Sequence, residues 1–77
     1  MNESDSESRT LVLRSDHITL AQAVKAVGLA DSGGQAKFLV REGIVTVNGT
    51  PVTQPGRKLR GGDRFGTAEA GEWTITG

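Results

Sequence analysis

Ser32-Gly33-Gly34-Gln35-Ala36-Lys37-Phe38-Leu39-Val40-Arg41-Glu42-Gly43, followed at once by Ile44-Val45-Thr46-Val47-Asn48-Gly49, is the stretch from which the fold of this chain can be read. Ser32 and Gln35 are spaced as a capping box, in which each side chain satisfies a backbone N–H that a helix start leaves unpaired. Ala36, Leu39 and Val40 recur at helical spacing and predict the buried stripe, and Gly43 ends the helix. Ile44, Val45 and Val47 then predict a strand. Asn48-Gly49 can adopt the positive φ angles of a type I′ turn, which makes Pro51-Val52-Thr53 the return strand of a hairpin.

Upstream, Thr10-Leu11-Val12-Leu13 is a short β-branched and apolar run that predicts a strand. Thr19 with Gln22 forms a second capping-box pair, Leu20, Ala23, Val24 and Val27 follow at helical spacing, and Gly28 is the stop. The short link to Ser32 implies a tight helical hairpin. Downstream, Gln54-Pro55-Gly56 turns the chain, Arg57 to Arg60 runs back, and Gly61-Gly62-Asp63 turns it again. Arg64-Phe65 and Glu72-Trp73-Thr74-Ile75 predict closing strands, with Trp73 and Ile75 pairing with the first strand. Val45, Val47, Val52 and Leu59 are assigned to the core; Gly43, Gly49, Gly62 and Asp63 are assigned to turns. The class is α+β, a two-helix hairpin packed on a small, mostly antiparallel sheet.

A chain of 77 residues supports one domain with a small core, and the absence of cysteine removes disulfides and thiolate metal sites. Met1 to Ser8 is polar and acidic and reads as a disordered tail, leaving residues 9–77 as the single domain. That start lacks the basic and apolar regions of a secretory signal, and no apolar run approaches the roughly 18 residues of a membrane span. A cytoplasmic monomer is the expectation. The formal net charge is zero, but it is unevenly spread. Residues 17–66 hold seven cations against three carboxylates, a net +4, between ends that each carry −2.

Three features of the basic middle can carry binding chemistry. Gly33 and Gly34 leave backbone N–H groups uncovered at a helix start, where the dipole favours an anion; the plain alternative is that they only permit the interhelical turn. Lys37 and Arg41, four apart, lie about 100° and 140° round from Ala36, beside the apolar stripe, although such pairs are commonly just solvated. Arg57, Lys58, Arg60 and Arg64 form a second basic stretch. If the chain returns beside the second helix, the two stretches converge, and arginine forks can grip phosphate through paired hydrogen bonds.

The order Ser32-Gly33-Gly34-Gln35-Ala36-Lys37, Arg41-Glu42-Gly43-Ile44-Val45, Val47-Asn48-Gly49, Val52 and Gly62-Asp63 resembles the S4 RNA-binding domain, over about Ile18 to Phe65. The flanking strands resemble those of small stand-alone bacterial S4 proteins. The resemblance implies the αL arrangement, in which two helices and the following β-turn form the RNA surface. It nominates Ser32, Gly33, Gln35, Lys37 and Arg41, then Asn48, Arg57, Lys58 and Arg60. For Asn48 the hairpin turn is a strong competing reason. The partner implied is structured RNA, ribosomal or transfer, in ribosome assembly or rescue. One departure stands out: many S4 domains open the first helix with an Arg-Leu-Asp type sequence, whereas Ile18-Thr19-Leu20 has no basic residue there.

Phe38, Phe65 and Trp73 are the three aromatic residues, too few for an RRM sheet, and all are assigned to core packing. Recognition through phosphates and RNA shape follows. His17, the sole histidine, has no nucleophile or metal-binding neighbours in a recognisable constellation, and phosphate-loop and dinucleotide signatures are absent, so no enzyme, cofactor or metal is expected. A helix-turn-helix would place two glycines where base-reading side chains belong, and a β-grasp carrier does not fit the early helical hairpin. The other reading is a protein-interaction adaptor using the same surface.

Overall fold

Both predicted helices form, and each is bounded by the residues that the sequence puts at its ends. The chain is described by a computed structural model over residues 9–77; the predicted acidic tail, residues 1–8, lies outside the described residues. In chain order the elements are β1 (Thr10–Val12), β2 (Ile18–Thr19), α1 (Leu20–Ala26), α2 (Gly33–Arg41), β3 (Thr46–Val47), β4 (Thr50–Pro51), β5 (Lys58–Leu59), β6 (Arg64–Thr67) and β7 (Gly71–Thr76).

At α1 the capping box is reciprocal: Gln22 N donates to Thr19 Oγ1 (3.3 Å) and Thr19 N donates to Gln22 Oε1 (3.0 Å). At α2 it is not. Gln35 N donates to Ser32 Oγ (3.1 Å), but Gln35 Oε1 accepts from Asp31 N (2.6 Å), one residue further back than predicted. Both helices end in Schellman motifs. Leu29 N reaches Val24 O and Gly28 N reaches Lys25 O; Ile44 N reaches Leu39 O and Gly43 N reaches Val40 O. Gly28 (φ +85°) and Gly43 (φ +77°) occupy the left-handed position that such an ending needs.

The main sheet has five strands in the order β1-β7-β6-β3-β4, and β2 pairs separately with β5. It is mixed: β1 runs parallel to β7, with Leu11 opposite Ile75, while the other pairings are antiparallel. Asn48 (φ +52°) and Gly49 (φ +86°) form the predicted turn. The hairpin is shorter than predicted: Ile44 and Val45 precede β3, and the return strand is Thr50–Pro51, not Pro51-Val52-Thr53. The Ile44 N–H is used by the helix ending, and its side chain is exposed.

Leu20, Val24, Val40, Val45, Leu59, Phe65 and Ile75 are the largest fully buried side chains, and they join both helices to the sheet in one core. Phe65 stacks on Trp73 at 6.0 Å between ring centroids. The Arg9 guanidinium carbon lies over the indole, 5.1 Å from the ring centroid, and Arg9 also donates to Ala70 O. Phe38 corrects the sequence reading: it is 58% exposed and lies outside the core. Gly66 is a contact the sequence did not announce, since a Cβ there would overlap Gly71 O and come within 2.8 Å of Glu72 Cα. Among the described residues, no helix is long and apolar enough to cross a membrane.

Candidate nucleic-acid interface

Thr19 is the hinge of this surface, because it ends β2 and caps α1 at once. The β2–β5 ladder sets Thr19 opposite Lys58 and Ile18 opposite Leu59. Leu20 N then donates to Arg57 O (2.8 Å) and Ala21 N to Pro55 O (3.0 Å), so the 55–57 segment satisfies two N–H groups at the start of α1. The basic stretch therefore returns against β2 and the first turn of α1, whereas the sequence reading put it beside the second helix. The cation missing from the local sequence at the mouth of α1 is supplied in space by Arg57 and Lys58.

Convergence with α2 comes through a groove of about 410 Å³ lined by Thr19, Ala21, Gln22, Lys25, Gly33, Lys37, Pro55 and Gly56. Gly33 and Lys37 were nominated from sequence. Lys25 was not: it stands in the last turn of α1, and only the pairing of the two helices turns it toward the same opening as Lys37. The remaining nominees do not line this groove. Ser32 caps α2 and Gln35 folds back to Asp31, so both side-chain oxygens already hold backbone N–H groups. Arg41 is exposed in the last turn of α2, outside the groove lining. Lys58 and Arg60 are exposed on the β5 ribbon.

Asn48 and Arg60 belong to a latch. Asn48 Nδ2 donates to Asp63 Oδ1, Arg64 N donates to Asn48 Oδ1 (3.0 Å), and Arg60 N donates to Asp63 Oδ2 (2.9 Å). The Asn48 side chain thus has the structural employment that competed with RNA contact, with one amide hydrogen left over. The Arg60 N–H is the largest influence on the Asp63 carboxyl and, with lesser help from the Asn48 amide and the charges of Arg57 and Arg60, holds it below its ordinary value against burial, which ranks second and opposes.

Gly33 and Gly34 are not explained by the fold. Neither has a positive φ, and both are helical. A Cβ on Gly33 would have no neighbour within 4 Å, and one on Gly34 would meet only Ser32 Oγ at 4.0 Å. Neither backbone conformation nor close contact at the interhelical turn therefore calls for glycine at these two positions. What they provide is bare backbone on an exposed helix start.

Among the described residues, no group of three or more His, Cys, Asp or Glu side chains could hold a metal ion. The family model described as "S4 domain" matches residues 11–75. Over 46 residues the chain is 46% identical to the protein of Bacillus subtilis (strain 168) named "Probable ribosome maturation protein RlbA". That alignment takes in 60% of this chain and 65% of the relative, slightly less than two thirds of the relative's length. With the two helices, the Asn48-Gly49 hairpin and the closing strands all inside the matched span, the chain belongs to the S4 domain family.

Proposed function

We propose that this protein is a non-catalytic RNA-binding module that grips structured RNA through phosphate and shape contacts. The helical hairpin and the β5 ribbon act together as an S4-type αL surface. The observation that carries the reading is the shared groove: Lys25 from α1 and Lys37 from α2 open onto it, and Pro55-Gly56 of the ribbon walls it. The backbone of Arg57 and Lys58 is held beside that wall, by the Leu20 N–H and by the β2–β5 ladder. Two helices thus bring cations to one groove, and the segment that walls it runs directly into a basic stretch, which solvated faces give no reason for. Ser32, Gly33, Gln35, Lys37, Arg41, Asn48, Arg57, Lys58 and Arg60 are the proposed contacts, joined by Lys25. Ser32, Gln35 and Asn48 act mainly by holding backbone in place.

Family membership supports RNA as the partner, and the relative's name supports ribosomal RNA in ribosome maturation as the setting. Transfer RNA remains the other structured substrate of this kind. Binding of Lys37→Ala/Arg41→Ala to a structured RNA, measured across a salt series, tests the reading. The double variant weakens affinity at least several-fold, reduces the log–log salt slope by about one to two, and keeps the thermal transition of the parent. Unchanged affinity and slope overturn the site. Crosslinking in cells followed by sequencing names the RNA.

A further inference from the structure

Phe38 is the ring that the core leaves out, 58% exposed, while Phe65 is buried and Trp73 is stacked on it. It lies two residues from both Ala36 and Val40, about 200° round the helix from each, and so projects from the side of α2 opposite the core. A lone exposed apolar side chain needs no explanation. Phe38 differs because the position one turn before it on the same face is Gly34, where neither φ nor packing calls for glycine. Glycine at that position brings no return in packing. The result is a flat strip: bare backbone at Gly34, then an aromatic face, then Arg41 three residues on.

We infer that the outer face of α2, formed by Gly34, Phe38 and Arg41, is a stacking platform for one unpaired RNA base, with a flanking phosphate held by Arg41. This rests on the RNA-binding reading and narrows its substrate to RNA with an extruded or single-stranded nucleotide. A base matches the strip in shape, because a planar ring can lie on Phe38 and extend over Gly34 where a side chain would stand in its way. Charge favours the same occupant: Arg41, three residues on, lies on the same face as the ring. Glu42, four residues beyond Phe38, repels phosphate from the far side and leaves the ring to the uncharged part of the nucleotide. Stacking on an aromatic side chain is sequence-tolerant, so the platform registers an open base without reading which base it is.

The test compares two RNA stems of equal length, one with a single bulged adenosine and one fully paired, by fluorescence anisotropy. The parent protein binds the bulged stem about tenfold more tightly, as one stacked base predicts. Phe38→Leu keeps an apolar side chain but has no ring; it loses that preference while its affinity for the paired stem and its salt slope stay at parent values. Phe38→Trp retains the preference. Gly34→Leu, a better helix former, covers the strip with the ring intact and also loses it. Equal parent affinity for both stems, a preference that survives Phe38→Leu, or one that Phe38→Trp abolishes overturns the platform while leaving phosphate binding intact. Failure of the parent to bind either stem overturns the RNA-binding reading itself.

Discussion

Asn48 Nδ2 donates to Asp63 Oδ1 across 3.2 Å, joining residues 15 positions apart. The bond ties the β3–β4 hairpin to the turn that follows β5, and Arg64 N closes the link by donating to Asn48 Oδ1. The same turn is held to β7, since Gly62 N donates to Ile75 O and Ile75 N donates to Asp63 O, both at 2.8 Å. The path of the Arg57–Arg60 ribbon is thus fixed at one end by this latch and at the other by α1. The cations are carried on anchored backbone, which reduces the ordering required when a ligand arrives.

Asn48→Ala and Asn48→Gly separate the two things Asn48 does. Alanine loses both side-chain bonds and keeps the Cβ at φ +52° without the polar side chain that lets asparagine tolerate it, a conformation that costs roughly 1–2 kcal/mol. Glycine loses the bonds but relieves the Cβ. Thermal unfolding should fall for both, with alanine below glycine by about 1 kcal/mol, or some 4–8 °C for a domain of this size. Equal losses would mean that the left-handed backbone adds nothing.

Asp63 makes the latch sensitive to acid. Its folded value lies below the ordinary 3.8, so the ionised form is favoured by folding. That contribution is complete above the unfolded value and is lost as the pH falls below about 4 and through the lower folded value. The carboxylate is largely solvated, so the contribution is small. Denaturant titrations from pH 6 down to pH 2 should show a steeper loss for the parent than for Asp63→Asn, and parallel curves would remove Asp63 from the account.

Gly66→Ala should be among the most damaging single-methyl changes in the chain. The added carbon would collide with Gly71 O and Glu72 Cα, both backbone, so no side chain can swing aside. Overpacking of this kind costs about 1–3 kcal/mol or more. Amide exchange in β6 and β7 should accelerate with the drop in stability; a variant as stable as the parent would show that the two strands can part.

Lys25→Ala and Lys58→Ala examine the cations that only the fold brings together. Both side chains are exposed, so stability should stay within about 0.5 kcal/mol of the parent. Each loss should lower the salt slope for structured RNA by about 0.7–0.9. If Lys25→Ala leaves the slope unchanged, the groove between the helices is not where the phosphate backbone runs.

The helices were legible because their signals are local. Thr19 with Gln22, Ser32 with Gln35, and Gly28 and Gly43 each act within one turn of chain, and Asn48-Gly49 specifies its own turn. The two-residue ladder between β2 and β5 was not legible, because so short a pairing leaves no periodic pattern; without it the ribbon could not be placed against α1. The same gap hid Lys25, whose relation to Lys37 depends on how the helices pair. Phe38 was misassigned because an aromatic residue inside an apolar helix reads as core unless the position of the stripe is weighed against it. Gly66 gave no warning, since close strand approach is a property of the neighbour across the sheet.

The place of β7 bears on how the molecule comes into being. This strand is the last made, yet it lies inside the sheet, with β1 on one side and β6 on the other. The helices pair with nearby residues, whereas β1 must wait, unmated, for a partner more than sixty residues downstream. The β1–β7 ladder is therefore closed only once the end of the domain has been made, and the sheet is incomplete until then.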